Sequence, residues 1–270
     1  MDQIGMLVAK IDGLLKSAQN SERSAKKAVT WLVAAKKAAE RGDWVQMAAL
    51  LKNKDREFLR ASGAVPPTDI DAIEAETSKY SLDAQLQFAE QVKARCQAFD
   101  LKAVDSGQRH ELRVQGIIEV VPDFTAGKVT VRTISSKETV SECTPEAVVR
   151  KIKEIAKRLF GRPFSPQEFL NELHRAYRVS HADGQSALLS DVQGDLWHLK
   201  QPSGFWQSYD LSKAHSYTTD EFSVDLGKLL SSGLTATSEG KKLNLSTHGG
   251  GIPVYGVSGT YDLYKFISFT

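Results

Sequence analysis

The chain has 270 residues, a length that fits two domains or one large domain and is ample for a buried core. Its 35 Lys and Arg residues nearly balance 33 Asp and Glu residues, and 41% of the residues are hydrophobic. These values are typical of a globular protein and exclude a polycation. Only two cysteines, Cys96 and Cys143, are present, so we expect no disulfide framework and a reducing compartment.

Charged residues also interrupt the apolar residues at the start of the chain. Lys10 and Asp12 break up the segment that a secretory leader would need to keep apolar. The longest early apolar run, Trp31–Ala35, is far shorter than the roughly 18 residues of a membrane span. We therefore expect a soluble, cytoplasmic protein that does not enter a membrane.

The first hundred residues have the spacing of amphipathic helices. A first helix is followed by a second over about Ser21–Glu40, a third that begins after an Asp43 N-cap, and a fourth from about Thr68 to Leu101. The apolar stripe of the first helix consists of Ile4, Leu7, Val8, Ile11, Leu14 and Leu15. We predict an elongated helical bundle or arm over residues 1–103, with coiled-coil character. It either supports the rest of the chain or binds a partner's helices.

A β-rich pattern follows and predicts a hairpin over residues 104–143. His110–Val121 is rich in β-formers, Pro122–Gly127 has turn residues, and Lys128–Ile134 alternates between apolar and polar side chains. We expect two strands joined by a loop of about five residues.

Residues 144–270 predict a mixed α+β domain. Thr144-Pro145 and Ser165-Pro166 are helix starts, and a further helix is expected over Glu221–Leu230. Strands are predicted over Lys241–Ser246 and Tyr261–Phe269. Phe164–Leu173 resembles Tyr217–Leu226, which indicates either a duplicated module of tandem winged-helix type or two helices with the same kind of start.

Basic residues concentrate between Pro145 and Arg178. A basic helical face can bind nucleic-acid phosphates, although a solvated helix face has the same composition. The candidate nucleic-acid-binding residues are Arg150, Lys151, Lys153, Lys157, Arg158, Arg162, Arg175 and Arg178.

Two glycine motifs near the end of the chain resemble catalytic or phosphate-binding loops but lack the residues these loops need. His248-Gly-Gly-Gly251 would be an esterase oxyanion loop, yet Ser258 lacks the spacing of a nucleophile and no histidine follows. Gly251–Ser258 has phosphate-loop spacing, yet Val257 stands where lysine is required. We expect a flexible connection between two late strands and no nucleotide cofactor.

The other candidate sites are equally incomplete. The histidines of the second half are scattered without metal-ligand spacing, so no metal is expected. Phe205 replaces the aspartate of a His-x-Lys phosphodiesterase motif, and Ser136-Lys137-Glu138 lacks the order of a nuclease motif. A hydrolase site assembled from distant residues would involve His198 and Asp195 first. The aromatic cluster around Trp197 could stack on bases, but a core role is favoured.

The sequence therefore predicts a non-enzymatic accessory or adaptor subunit of a cytoplasmic complex. Its larger protein partner, an ATPase or a nuclease, would bind the N-terminal helices, and the complex could contact DNA. The alternative is a winged-helix nucleic-acid-binding protein. A hydrolase or nuclease is the third hypothesis.

Overall fold

The computed structural model describes residues 3–52, 59–60, 66–108, 110–208, 210–247, 249–256 and 260–270, with side chains from residue 22 onward. Within these ranges the chain contains eight α-helices, one short 3₁₀ helix and ten strands. All the strand pairs with a defined register are antiparallel. The predicted mixed α+β class is confirmed.

The helices begin where the capping residues place them. Asp43 accepts a hydrogen bond from the Gln46 N–H at 2.9 Å, and Thr218 forms a complete capping box with Glu221. The helices are α1 (Gln3–Glu40), α2 (Trp44–Lys52), α3 (Pro67–Gln97), α4 (Pro145–Phe160), α5 (Pro166–Ser180), α6 (Leu189–Leu199), α7 (Ser203–Ser208) and α8 (Thr219–Ser231), with the 3₁₀ helix at Leu211–Lys213.

Three sheets are formed by the described strands. A five-stranded sheet has the order β1-β2-β3-β4-β5, a three-stranded sheet has the order β6-β10-β7, and β8 pairs with β9. The strands are β1 (Ala103–Asp105), β2 (Leu112–Val114), β3 (Ile118–Asp123), β4 (Lys128–Arg132), β5 (Lys137–Val140), β6 (Ala187–Leu188), β7 (Leu243–Ser246), β8 (Ile252–Tyr255), β9 (Tyr261–Tyr264) and β10 (Phe266–Phe269).

The chain divides into two compact units, each assembled from non-contiguous segments. Unit 1 comprises Met1–Val92, Pro122–Thr130 and Thr139–Val148, and unit 2 comprises Lys93–Val121, Val131–Glu138 and Val149–Thr270. Trp31, Met47 and Ile70 lie in the core of unit 1. In unit 2, α5, α6 and α8 pack with β6, β8 and β10 around residues such as Tyr177 and Phe222.

Several boundaries differ from the sequence-based expectation. The two predicted N-terminal helices are one continuous helix, because residues 16–21 (KSAQNS) contain neither glycine nor proline to end it. The predicted strand His110–Val121 is two strands, β2 and β3, because Gln115 and Gly116 adopt positive φ and reverse the chain. The predicted end of the third helix at Ser62-Gly63 lies outside the described residues.

The glycine-rich stretch near the end of the chain also differs from its prediction. It contains strand β8 where only a flexible connection was expected, and the predicted strand Tyr261–Phe269 is divided into β9 and β10. Among the described residues, no helix is both long and apolar enough to cross a lipid bilayer.

Candidate functional site

Three of the predicted nucleic-acid-binding residues share the outward face of α4. Arg150, Lys153 and Lys157 are spaced three and four residues apart and are exposed, whereas the opposite face is buried. This pattern arises because apolar residues recur at helical spacing between the charged ones. The buried face comprises Val148, Ile152, Ile155 and Leu159.

Two cations of α4 are engaged by neighbouring side chains. The Lys151 Nζ lies 2.5 Å from a Glu138 carboxylate oxygen and 3.0 Å from one of Glu154, and these hydrogen bonds raise the pKa of Lys151. The Lys153 Nζ lies 3.5 Å from the centroid of the Phe99 ring. Both charges are therefore partly compensated before any ligand arrives.

Arg162 lies in a partly buried network with α8. Its guanidinium donates to the Asp225 carboxylate at 2.7 Å and to the Glu221 carbonyl oxygen at 3.1 Å. The Tyr217 hydroxyl donates to the second oxygen of Asp225 at 2.9 Å. Burial raises the pKa of Asp225, and the Arg162 charge opposes that rise. Arg162 therefore neutralises a buried carboxylate.

The remaining predicted residues are exposed cations. For Lys157, Arg158, Arg175 and Arg178, the described part of the chain supplies no ion pair. Arg175 lines a cavity of about 480 Å³ whose other charged residues include three glutamates, and these oppose the approach of a phosphate. The cavity is lined by Glu168, Asn171, Glu172, His174, Arg175, Thr237, Ser238 and Glu239.

Helix α8 is enclosed on nearly all sides by unit 2. Its residues from Phe222 to Gly227 are all buried, and only the last two residues of the helix are exposed. Gly227 permits the contact with β8, because a Cβ at this position would lie 2.2 Å from the Tyr255 carbonyl oxygen. The helix contains three acidic residues and one lysine. It therefore offers no open basic face to a nucleic acid.

His198 and Asp195, the first candidates for an assembled hydrolase site, contact different groups. The His198 ring lies 5.7 Å from the Trp206 ring, whereas Asp195 accepts a hydrogen bond from the Ser180 hydroxyl at 3.2 Å. The described contacts do not connect the two residues.

A different histidine has a carboxylate partner that the sequence does not indicate. The His174 Nε2 lies 3.0 Å from an Asp183 oxygen, and the Lys241 Nζ lies 2.8 Å from the other oxygen of Asp183. These contacts hold the pKa of Asp183 at about 2. Among the described residues, no group of three potential metal ligands converges.

The aromatic cluster is largely part of the core. Phe205 and Tyr217 are buried and Trp197 is half-buried, while Trp206 is exposed. Tyr209 lies outside the described residues. Trp206 is therefore the single exposed indole among the described residues of this cluster. One exposed ring does not form a platform on which successive bases could stack.

The glycine motifs have a structural explanation in their described part. Gly249, Gly250 and Gly251 all have positive φ, and a Cβ on Gly251 would lie 2.3 Å from the Tyr264 carbonyl oxygen. The three glycines therefore allow the chain to turn closely against β9. His248 and residues 257–259 lie outside the described residues.

Helix α1 has two apolar faces along its described part. Ala28, Trp31, Ala35 and Ala38 are buried in the core of unit 1. Val29, Leu32 and Val33 lie on another face with 60%, 40% and 47% of their surface exposed. The sequence-based expectation of partner binding by these helices did not include this second face, although its spacing of three and four residues is typical of one.

No family model matches the chain, and no curated protein or solved structure matches it either.

Proposed function

We propose that the protein is a non-catalytic adaptor subunit that binds a larger protein through its N-terminal helices. The observation that carries this proposal is the second apolar face of α1. Soluble proteins seldom leave a cluster of large aliphatic side chains in water, because burying each one is worth about 1.5–3 kcal/mol. Val29, Leu32 and Val33 have the spacing with which one helix packs on another.

Helix α3 adds a second pair of exposed apolar residues to the same unit. Leu82 and Leu86 lie one turn apart and are 61% and 49% exposed. Two helices of unit 1 thus present aliphatic side chains to solvent. This supports a bundle or arm that a partner completes.

Unit 2 supports a winged-helix character for the C-terminal module. Its order of α5, β6, α6, α8, β7 and β10, with strand order β6-β10-β7, resembles the order expected of a winged helix and supports this proposal. Two departures are the insertion of α7 between α6 and α8 and of the β8–β9 hairpin between β7 and β10. DNA-binding helix-turn-helix modules place their recognition helix, here α8, in the major groove. Because α8 is buried and acidic, we favour a protein-binding role for this module.

Nucleic-acid binding remains a second candidate, supported by Lys157, Arg158 and Arg178. Their exposed charges could contact a phosphate backbone without displacing an ion pair described here. The predicted contact would weaken steeply with salt. Changing Lys157, Arg158 and Arg178 together to glutamate tests it, and unchanged DNA affinity after that triple change would remove this candidate.

We further propose that the partner is an ATPase or a nuclease and that the complex is cytoplasmic. Both described cysteines are buried and free, which suits a reducing compartment. A hydrolase site receives less support, because His198 and Asp195 contact different groups.

The adaptor proposal is tested by native co-purification of the tagged full chain from its own cells. We expect a larger protein to be recovered in a defined stoichiometry, and to be lost when Leu32→Glu is introduced. Leu211→Glu is the matched control, because Leu211 is also an exposed leucine but lies in unit 2. Failure to recover any stoichiometric partner, or equal loss with both variants, contradicts the proposal.

A further inference from the structure

The exposed face of α1 continues the apolar stripe of the helix's first half. At about 100° per residue, Val29, Leu32 and Val33 have the same helical phase as the apolar positions from Ile4 to Leu15. The buried face around Trp31 lies roughly opposite. We name the continuous stripe the α1 seam, formed by Ile4, Leu7, Val8, Ile11, Leu14, Leu15, Ala18, Ala25, Val29, Leu32 and Val33.

The spacing of the seam is that of a helix-pairing surface. Positions 4, 8, 11, 15, 18, 22, 25, 29 and 32 alternate four- and three-residue steps, and all but Glu22 are apolar. At 1.5 Å per residue, the stretch from Ile4 to Val33 is about 44 Å long. A second helix of similar length is the partner that matches such a surface, because helices derive most of their stability from packing of an apolar face.

The charge of α1 indicates whether this second helix comes from another copy of the chain or from a different protein. It contains seven Lys or Arg residues and three Asp or Glu residues. Arg23 and Lys37 follow one edge of the seam and are exposed, and Lys26 on the same edge forms an ion pair with Glu22 at 2.6 Å. A second copy of α1 would bring the same positive excess against this edge, which opposes pairing. A helix with Asp and Glu beside its apolar stripe would instead neutralise the excess.

We propose that the α1 seam binds an acidic amphipathic helix of a different protein. This inference rests on the proposed adaptor function and adds the chemistry of the partner. The apolar stripe provides affinity, and the basic edge provides discrimination between partners.

The test uses the full chain and two synthetic peptides about four heptads long with the same leucine and isoleucine core. One peptide has glutamate at the flanking positions and the other has lysine. We expect the acidic peptide to bind at least about tenfold more tightly at low salt, with a smaller ratio at high salt. Leu32→Glu should abolish binding and Leu211→Glu should not. Equal or weaker binding of the acidic peptide overturns the inference.

Self-association is the second outcome that overturns it. Analytical ultracentrifugation of the chain alone should show a monomer, whereas a dimer lost in Leu32→Glu would mean that a second copy occupies the seam. A different result contradicts the proposed adaptor function, namely that no stoichiometric partner is recovered from cells. A native partner that tolerates Leu32→Glu would refute the inference on the seam and leave open that the adaptor binds through another face.

Discussion

Replacing Arg162 tests whether this residue stabilises the fold or binds nucleic acid. The expected loss of stability can be calculated from its contacts. In Arg162→Ala the Asp225 carboxylate loses its cation, although the Tyr217 hydroxyl still donates to it. Asp225 is buried, with 8% of its side chain exposed, while Arg162 retains 27%. We therefore expect Arg162→Ala to destabilise the folded chain, whatever the chain binds.

The magnitude follows from these exposures. Breaking a fully buried ion pair costs about 3–5 kcal/mol, and the partial exposure of Arg162 reduces this to about 2–3 kcal/mol. Loss of the hydrogen bond to the Glu221 carbonyl oxygen adds about 1 kcal/mol. We expect a total of about 3–4 kcal/mol near neutral pH.

The loss should depend on pH in a defined direction. Burial already raises the pKa of Asp225, and removal of the cation raises it further. An acid whose pKa is higher in the folded state than in the unfolded state destabilises folding when ionised, and this penalty disappears as the pH falls below the folded pKa. The stability deficit of Arg162→Ala should therefore shrink in acid.

Urea denaturation followed by circular dichroism measures this deficit. The control Arg158→Ala removes an exposed arginine and should change stability by less than about 0.5 kcal/mol. Adding Asp225→Asn to Arg162→Ala should cost less than the sum of the two single changes, because the uncompensated charge is then absent. A stability of Arg162→Ala within about 0.5 kcal/mol of the parent would refute the reasoning.

Three further predictions concern stability and are measured by chemical denaturation. Gly227→Ala should destabilise by about 2 kcal/mol or more, since its Cβ would lie 2.2 Å from a β8 carbonyl oxygen, whereas Gly194→Ala in open space on α6 should stabilise by up to about 1 kcal/mol. A change of stability in the same direction in both variants would contradict this prediction. Asp43→Ala should cost about 2–4 kcal/mol, because the buried carboxylate both caps α2 and accepts from a backbone N–H 100 residues away. Asp210→Ala removes an exposed cap and should cost much less, and similar losses for the two variants would refute the contribution of the long-range hydrogen bond of Asp43. A lysine and a histidine hold the pKa of Asp183 at about 2, so this residue's contribution to stability should be lost as pH falls from about 4 towards 2. An unchanged acid profile in Asp183→Asn would show that the contribution is absent.

Local capping chemistry made part of the fold predictable. Asp43, Ser165 and Thr144 each accept from a backbone N–H in the first turn of the helix predicted to follow them. The turn after β3 was equally predictable from its proline, aspartate and glycine. These features depend on a few neighbouring residues, so the sequence contains all the information they need.

Features that depend on distant contacts were not predictable. Helix α6 begins after Leu188, whose side chain forms no capping hydrogen bond, and strand β8 follows three glycines. Both are stabilised by packing in unit 2, where α6 contacts α5 and β8 contacts α8. The His174–Asp183–Lys241 contacts are missed for the same reason, since helix α5, the loop after it and the segment before β7 bring the three residues together.

The resemblance between Phe164–Leu173 and Tyr217–Leu226 has a local explanation. In each segment a hydroxyl residue, Ser165 or Thr218, caps the helix that follows. The phenylalanines five residues into each segment have ring centroids 6.4 Å apart in a single core. Two helices that begin in the same way and pack into one core need the same cap and the same inward aromatic residue. The repeat therefore requires no second copy of the module.

The proposed partner surface on α1 depends on the continuity of this helix. When residues 4–15 and 21–40 are treated as separate helices, the first has one apolar stripe and the second appears as an alanine- and lysine-rich support. As one helix, the two segments have a fixed phase, and that phase places Val29 and Val33 in line with Ile4 and Ile11, away from Trp31. Among the described side chains of α1, those in the core of unit 1 lie on the face around Trp31. The sequence pattern from Ile4 to Val33 has heptad spacing, and the positive excess of α1 supports the proposed acidic partner helix.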